Sequence, residues 1–450
     1  MSLFPLIAVS VVLLQSRAPI AFVGVHVVRS DQPTVSSNQT VVVEGDRITW
    51  VGPSRNARLS ANTRRIPGRN RYLLPGFADM HVHIGTSGDL RTYVANGVTT
   101  VRNMWGEPGH LAWRDSTQRG LLLGPRIVTA GPILDGSPPS VPQMTVLTDA
   151  SVARAEVIRQ LEAGYDFIKV YNNLPKAVYD TVVQTARARG VAVAGHVPFE
   201  VGLFGALASG QRSIEHLRGY INELVPVGAL VQPAASLKSR TLAWNSVDTT
   251  RYARLVAATV GARVWNCPTL MVTGELLAPP EQWAALARRP MLRYLAPGST
   301  GDRATIPYLK DFSPDDFREA QRGVDAQRRL VRALHQAGAG LLAGTDSYLQ
   351  GYAFQLELDA LAASGLRPWD VLMIATGNAA RYLGEEGTWG AVTAGQTADL
   401  QLVEANPLVS LQALQSRVGV MVRGQWHSSA ALQRRLDQLA RSYRTASSTR

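Results

Sequence analysis

The stretch PGFADMHVHIG, residues 75–85, runs apolar into two histidines separated by one valine. Side chains alternate along an extended strand, so His81 and His83 face the same side and can bind one metal ion. Working outward, further short apolar runs follow at 98–104, 125–131, 166–171, 191–197, 212–217, 263–270 and 340–346. Helical patterns lie between several of them: 151–163 ended by Gly164, 174–189 ended by Gly190, and a helix opened by Ser313-Pro314, serine as N-cap and proline at the first position. Eight strands with intervening helices over some 300 residues predict an α/β fold built on a (β/α)8 TIM-like barrel.

In such a barrel the functional residues sit at the C-terminal strand ends. There the chain carries His81 and His83, then Lys169 with Tyr171 two residues on, then His196, then Glu215-His216, then Gly344-Thr345-Asp346. Each has a plain alternative. A histidine at a strand end can be a hydrogen-bonded structural residue, a strand lysine can point outward, and an aspartate after Gly-Thr can cap a helix. Four of the eight histidines nevertheless fall on three converging strand ends, while His26, His110, His335 and His427 do not and receive no ligand role. Tyr171 is either a donor to a substrate carbonyl oxygen or a core tyrosine, and Arg218 either a clamp for a substrate carboxylate or a surface arginine.

The two chain ends read differently from the middle. Residues 20–72 and 385–428 are β-rich and broken by turns, with a hairpin signal around Glu44-Gly45-Asp46, and neither flank is long enough alone. They predict a small flanking β-sandwich domain assembled from both ends, around a barrel over 73–384. A C-terminal helix and tail occupy 429–450, with Leu432, Leu436, Leu439 and Tyr443 at helical spacing. The stretch 273–312, rich in Pro, Gly and Arg, is expected to cover the barrel mouth. Residues 3–14 are apolar but too short to span a bilayer, and Ser16-Arg17-Ala18 offers a cleavage site. An export signal over 1–18, hence a secreted or periplasmic protein, is expected; a buried N-terminal strand in a cytoplasmic protein is the alternative.

The chain has 450 residues, 46% of them hydrophobic and 18% charged, which suits a folded globular protein. A single cysteine, Cys267, excludes an intrachain disulfide and a thiolate metal cluster, so metal chemistry must use histidine and carboxylate. The net charge of +12 comes from 46 basic residues of which only four are lysine, dispersed without long runs. That pattern reads as a solvated surface, with no nucleic-acid partner and no membrane span; the partner expected is a small-molecule substrate, and assembly with further copies of the chain is compatible with it.

PGFADMHVHIG, DFIKVY, AGHVP, SIEHL and AGTDS, in this order, resemble the amidohydrolase superfamily, in particular its imidazolonepropionase-like and prolidase-like (Xaa-Pro dipeptidase) branch. The likeness covers roughly residues 20–425 and continues through GLRPWDVLMIATGNAARYLG and GAVTAGQTADLQLVEANPL. The resemblance implies a binuclear centre of two divalent metal ions, usually zinc, bridged by a carboxylated lysine and a hydroxide. Carried over by position, His81, His83 and Asp346 would bind one ion, His196 and His216 the other, and Lys169 would bridge them as a CO2-derived carbamate. Asp346 would shuttle the proton to the leaving nitrogen. The imidazole-rich, thiolate-free set suits zinc, with manganese, cobalt or iron as alternatives.

The chain departs from the family at Arg102-Asn103-Met104-Trp105-Gly106, at Leu134-Asp135-Gly136-Ser137-Pro138-Pro139, and at Gln355, where a histidine commonly precedes Glu-Leu. None is a primary ligand, so these departures bear on substrate choice. The expected activity is hydrolysis of an amide bond in a dipeptide or N-acyl amino acid, ochratoxin-like conjugates included. A cyclic-amide hydrolase or deaminase of the imidazolonepropionase type is the alternative, against which Lys169 counts. A catalytically silent scaffold is a third reading, against which the complete ligand set counts.

Overall fold

The computed structural model describes residues 18–231, 236–296 and 309–448, and the expected export signal lies almost wholly outside them. The chain changes architecture at Pro75-Gly76. Before that point Tyr72–Pro75 pairs in parallel with Ile20–Val28 and antiparallel with Leu400–Val403, Leu400 opposite Pro75. The two chain ends are thereby joined in one eight-stranded sheet. Its order is Gln425–Ser428, Arg417–Val422, Leu400–Val403, Tyr72–Pro75, Ile20–Val28, Val35–Glu44, Arg47–Pro53, with Arg64–Pro67 paired beside Ile20–Val28. Phe22, Val41, Ile48 and Leu73 from one end pack with Leu402 and Met421 from the other. Such apolar faces need each other, because neither flank has enough surface to bury alone. The change of sheet falls three residues later than the expected boundary at 72, since Leu73 and Leu74 still belong to the flank's strand.

After Gly76 the strands run parallel. Phe77–Val82 and Val98–Asn103 are buried at every position, as strands covered on both faces must be. With Arg126–Thr129 they form a three-stranded sheet. A six-stranded sheet runs Thr145–Val146, Leu134–Asp135, Ile168–Val170, Val193–Gly195, Ser213–Glu215, Trp265–Cys267. Bridges join Ala130 to Phe167 and Asn266 to Leu341, and the Met80 amide donates to the Ala343 carbonyl at 2.8 Å.

The expected eighth strand, 340–346, makes only this bridge rather than a ladder. A side chain at Gly344 would run into Cys267 Sγ and the His81 backbone, and Asp346 turns into the left-handed region at φ 45°. Glycine is needed for the close approach, and the turn ends regular pairing.

The helices follow from their apolar faces and caps. Lys176–Ala188 buries Val178, Tyr179, Val182, Val183 and Ala186, the i, i+4, i+7 face of one helix. Ala150–Glu162 starts where the Asp149 carboxylate accepts the Ser151 and Val152 amides. Pro314–Gln336 starts on the Ser313–Asp316 capping box. Leu432, Leu436 and Leu439 of the closing helix Ser429–Ser448 are buried, and the Tyr443 hydroxyl lies 3.3 Å from that of Thr86.

The stretch 273–312 contains the helix Pro280–Ala287 and the short turn Pro290–Tyr294, and its residues 297–308 lie outside the description. Leu277, Leu309 and Phe312 pack on Phe317 of the long helix. Among the described residues none of 273–312 lines the large cavity described below, so the expected cover over the mouth finds no contact there. No described helix is long and apolar enough to cross a membrane.

Candidate active site

A cavity of about 680 Å³ opens at the C-terminal ends of the parallel strands, and His81, His83, Lys169, Tyr171, His196, His216 and Asp346 all line it. Arg218 does not; it lines a smaller neighbouring cavity that shares His216. The strand bearing His81 anchors the turn bearing Asp346. Its carbonyl at His81 accepts the Thr345 and Asp346 amides at 3.2 and 2.7 Å, and Asp79 accepts the Thr345 amide and hydroxyl. The Asp346 carboxylate then sits 3.2 Å from His83 Nε2, 3.7 Å from His81 Nε2 and 3.6 Å from His216 Nε2. The His196 and His216 ring centres are 5.0 Å apart, those of His81 and His216 4.6 Å. Gly195, preceding His196, has φ 136°, and a Cβ there would meet the Val170 carbonyl.

Three of the imidazoles have their second nitrogen tied. His81 Nδ1 donates to Glu215 Oε2 at 2.8 Å, His196 Nδ1 to Asn172 Oδ1 at 2.7 Å, and His216 Nδ1 pairs with Thr269 Oγ1 at 2.6 Å. His216, Thr269 and Asp346 all take left-handed backbone conformations, a concentration of strain typical of a site held by its surroundings. Glu215 is itself clamped: Arg102 Nη2 donates to both its oxygens at 2.9 and 3.0 Å, and Ser213 donates at 2.6 Å. Arg102 completes its set with the Met80 carbonyl and the Ser213 and Tyr382 hydroxyls.

Electrostatics follow from burial and these neighbours. Burial, then the charge of Lys169, pushes His81 down to about 4, and burial holds His196 and His216 well below the usual histidine range. All three are therefore neutral at pH 7, the form in which imidazole donates a lone pair. Burial brings Lys169 down to about 8 against the opposing pull of Glu215 and Asp346, and its amine has no hydrogen bond among the described residues. Burial would raise Asp346 and Glu215; for Asp346 His81 and His83 outweigh it, for Glu215 Arg102 and His81 do, and both carboxyls lie below the ordinary range. Tyr171 stacks on the His196 ring at 3.9 Å, and burial raises its phenol, which stays protonated.

This donor set fits divalent cations. Ring nitrogens oriented through Nδ1 by a carboxylate, an amide and a hydroxyl are the usual support of metal-ligating histidines. His81, His216 and Asp346 bring one donor each within 4.8 Å of one another. His81, Glu215 and Cys267 are equally close, but the Glu215 oxygens are occupied by Arg102, His81 and Ser213, and burial raises the thiol.

Asn172 and Thr269 are neighbours of the histidines that motif reading passes over, while Glu215 and Arg102 are named there without a role. One signal was present: an arginine inside the buried run 98–103 and a glutamate inside 213–215 each demand a counter-charge. Nothing local marks Asn172 or Thr269. His110, given no ligand role, lines the cavity but is spent on structure, its Nδ1 accepting the Glu107 amide and its Nε2 pairing with the Ile84 carbonyl.

The family model described as "Amidohydrolase family" matches residues 72–427. Ochratoxinase of Aspergillus niger is 22% identical over 435 residues, covering 89% of this chain and 84% of that protein. Other matches are partial: the chain spans about a third (33%) of an adenine deaminase of Staphylothermus marinus, at 27% identity, and 16% of an imidazolonepropionase of Streptomyces avermitilis, at 36%. Among solved structures, the bottromycin amidohydrolase superposes with TM-score 0.74 at 26% identity over 94% of this chain and 90% of that one. A Xaa-Pro dipeptidase with methionine in its active site gives 0.69 at 19% identity, covering 91% and 100%.

Proposed function

The chain belongs to the amidohydrolase family, whose solved relatives carry a TIM-barrel-like α/β domain, and from that premise we propose that this hydrolase cleaves the amide bond of a dipeptide or an N-acylated amino acid, ochratoxin-like conjugates included. The observation that carries the reading is one cavity holding three Nδ1-tethered, neutral imidazoles together with His83, Asp346 and a partly neutral buried lysine. His81, His83 and Asp346 would hold one divalent ion and His196 and His216 a second, zinc being the best match to the donors. When bound, the ions supply Lewis acidity toward the amide carbonyl and raise the acidity of water. Lys169 would join the two sides as a carbamate, its neutral amine adding CO2 with loss of one proton; burial in Ile168–Val170 favours the neutral amine that reaction needs.

The remaining work falls to protein groups. Asp346 takes a proton from the attacking water on its carboxylate and passes it to the leaving nitrogen, held for that by His83 and by the amide bonds to its turn. The Tyr171 phenol, fixed by stacking and without a hydrogen bond among the described residues, donates to the substrate carbonyl oxygen. Arg218 engages the substrate carboxylate from the adjoining cavity.

The same reading assigns a closed eight-membered barrel to 73–384, supported by the bridges at Ala130, Asn266 and Met80. It folds the flanking sheet of 20–72 and 385–428 into a sandwich, supported by the apolar cluster its strands share. An export leader over 1–18 belongs to it too, on the strength of the apolar run 3–14. Metal analysis of purified protein beside a panel of dipeptides and N-acyl amino acids tests the assignment. The expected result is close to two ions per chain and turnover of at least one linear amide; one ion per chain with turnover of cyclic amides or aminopurines alone would replace it with the deaminase-like alternative.

A further inference from the structure

Arg218 and Arg240 stand out among the half-buried cations. The Nε of each is buried without a hydrogen-bond partner, and neither side chain makes an ion pair or a side-chain hydrogen bond among the described residues. Both line the smaller cavity, about 80 Å³, which adjoins the metal-ligand cluster through His216 and Asn172. Arg240 comes from the short helix Leu237–Leu242, in the excursion between the strands Ser213–Glu215 and Trp265–Cys267, whereas Arg218 stands two residues after His216. Glu223 lines the same cavity, yet no ion pair joins it to either arginine among the described residues.

Two guanidinium groups brought together without an acid repel each other and leave their buried Nε donors unsatisfied. Burial disfavours both charges, and each arginine's field reaches Tyr171 beside the ligand cluster. One partner removes both penalties: a planar anion that accepts from two forks at once, which is the geometry of a carboxylate. The room beside them suits a small charged end-group, while the 680 Å³ cavity takes the rest of the molecule. Phe199 and Trp244 give that end-group apolar walls, which strengthens its pairing with the arginines.

We propose that Arg240 joins Arg218 in a two-arginine carboxylate subsite adjoining the ligand cluster, so that preference for a free carboxylate on the leaving amino acid depends on Arg240 as well as on Arg218. The proposal rests on the amide-hydrolase reading and adds a specificity-determining residue, Arg240, that no motif marks.

The experiment compares N-acyl amino acids with their matched carboxamides on the metal-loaded full chain, in wild type, Arg218→Gln and Arg240→Gln, with thermal melts to show that the variants fold. In parallel, calorimetry measures binding of N-benzoylglycine and its carboxamide to each protein. The expected result is a preference for the acid of about tenfold or more in kcat/KM, from a charge-assisted double contact, collapsing toward equality in either variant and declining with added salt. Acid and carboxamide used alike by wild type, or a preference that survives Arg240→Gln, overturns the subsite. If no linear amide is hydrolysed at all, the amide-hydrolase reading fails separately. The subsite then stands or falls on calorimetry, where tighter binding of N-benzoylglycine that weakens in Arg240→Gln supports it, and equal binding of both compounds overturns it. Should Arg240→Gln melt early, Arg240→Lys decides: it keeps the charge but not the fork and is expected to retain only part of the preference.

Discussion

Arg102, fully buried, and the half-buried pair Arg218–Arg240 border different cavities of the parallel-strand domain, and they are treated in opposite ways. Arg102 borders a cavity of about 440 Å³ and spends its donors on Glu215, Ser213, Tyr382 and the Met80 carbonyl. Through Glu215 it fixes the Nδ1 of His81, so its charge is already used to aim an imidazole. Arg218 and Arg240 have no such partners among the described residues. A closed network holds a ring in place, whereas an open one is suited to receive an anion. Glu357 shows a third outcome: one oxygen accepts the Met271 amide, the other has no partner, and burial lifts the carboxyl to about 8, so it gives up its charge instead.

The largest effect is expected at the side-chain cluster that lines the 680 Å³ cavity. Lys169→Ala is expected to bring turnover to background and metal content well below two per chain, with partial rescue by short-chain carboxylic acids, measured by kinetics and elemental analysis. Ordinary turnover in that variant would remove the bridging role. Next in size, Arg102→Met leaves the Glu215 carboxylate buried and unpaired and should cost about 3–5 kcal/mol in chemical denaturation. Glu215→Gln in the same chain should recover part of that loss, since the orphaned charge goes with it. Arg240→Gln, by contrast, removes a group with no internal partner and should change stability by less than about 0.5 kcal/mol, or raise it.

A finer probe is the pH dependence of Glu357. Its folded value of about 8 lies above the usual glutamate value of 4.5, so the native state holds the proton more tightly than the unfolded chain. Its contribution to stability is therefore complete below pH 4.5, declines as pH rises toward 8, and then levels. Glu357→Gln should flatten that decline in melts taken between pH 5 and 9; an unchanged slope would place the ionised form in the native protein. The smallest effect is expected outside these cavities. Ser313→Ala removes the cap of Pro314–Gln336 and should cost about 1 kcal/mol with no change in substrate preference.

Much of this site was legible because the side chains that line its cavity sit on short motifs. His81 and His83 share a strand face by alternation, and Lys169 stands out as the one cation in an apolar run. The neighbours were harder to read. Asn172 and Thr269 meet their histidines across 24 and 53 residues of chain, as ordinary polar residues in loops. The expected eighth strand, 340–346, is reduced to the bridge Asn266–Leu341, and Gly344 there lies too close to Cys267 for any side chain. Arg218 was singled out from its place after His216, while Arg240, 22 residues further along, had no such neighbour to mark it.

Legible without coordinates were the alternation of strands and helices in the middle of the chain, the side chains that come to line the large cavity and the joining of the two chain ends, because apolar periodicity and residue chemistry are local properties. Only the tertiary structure decided which charges are satisfied. Pairing Arg102 with Glu215 while leaving Arg218 and Arg240 without an acid depends on which distant segments fold into contact, and in a buried setting that proximity sets the cost or the use of each charge.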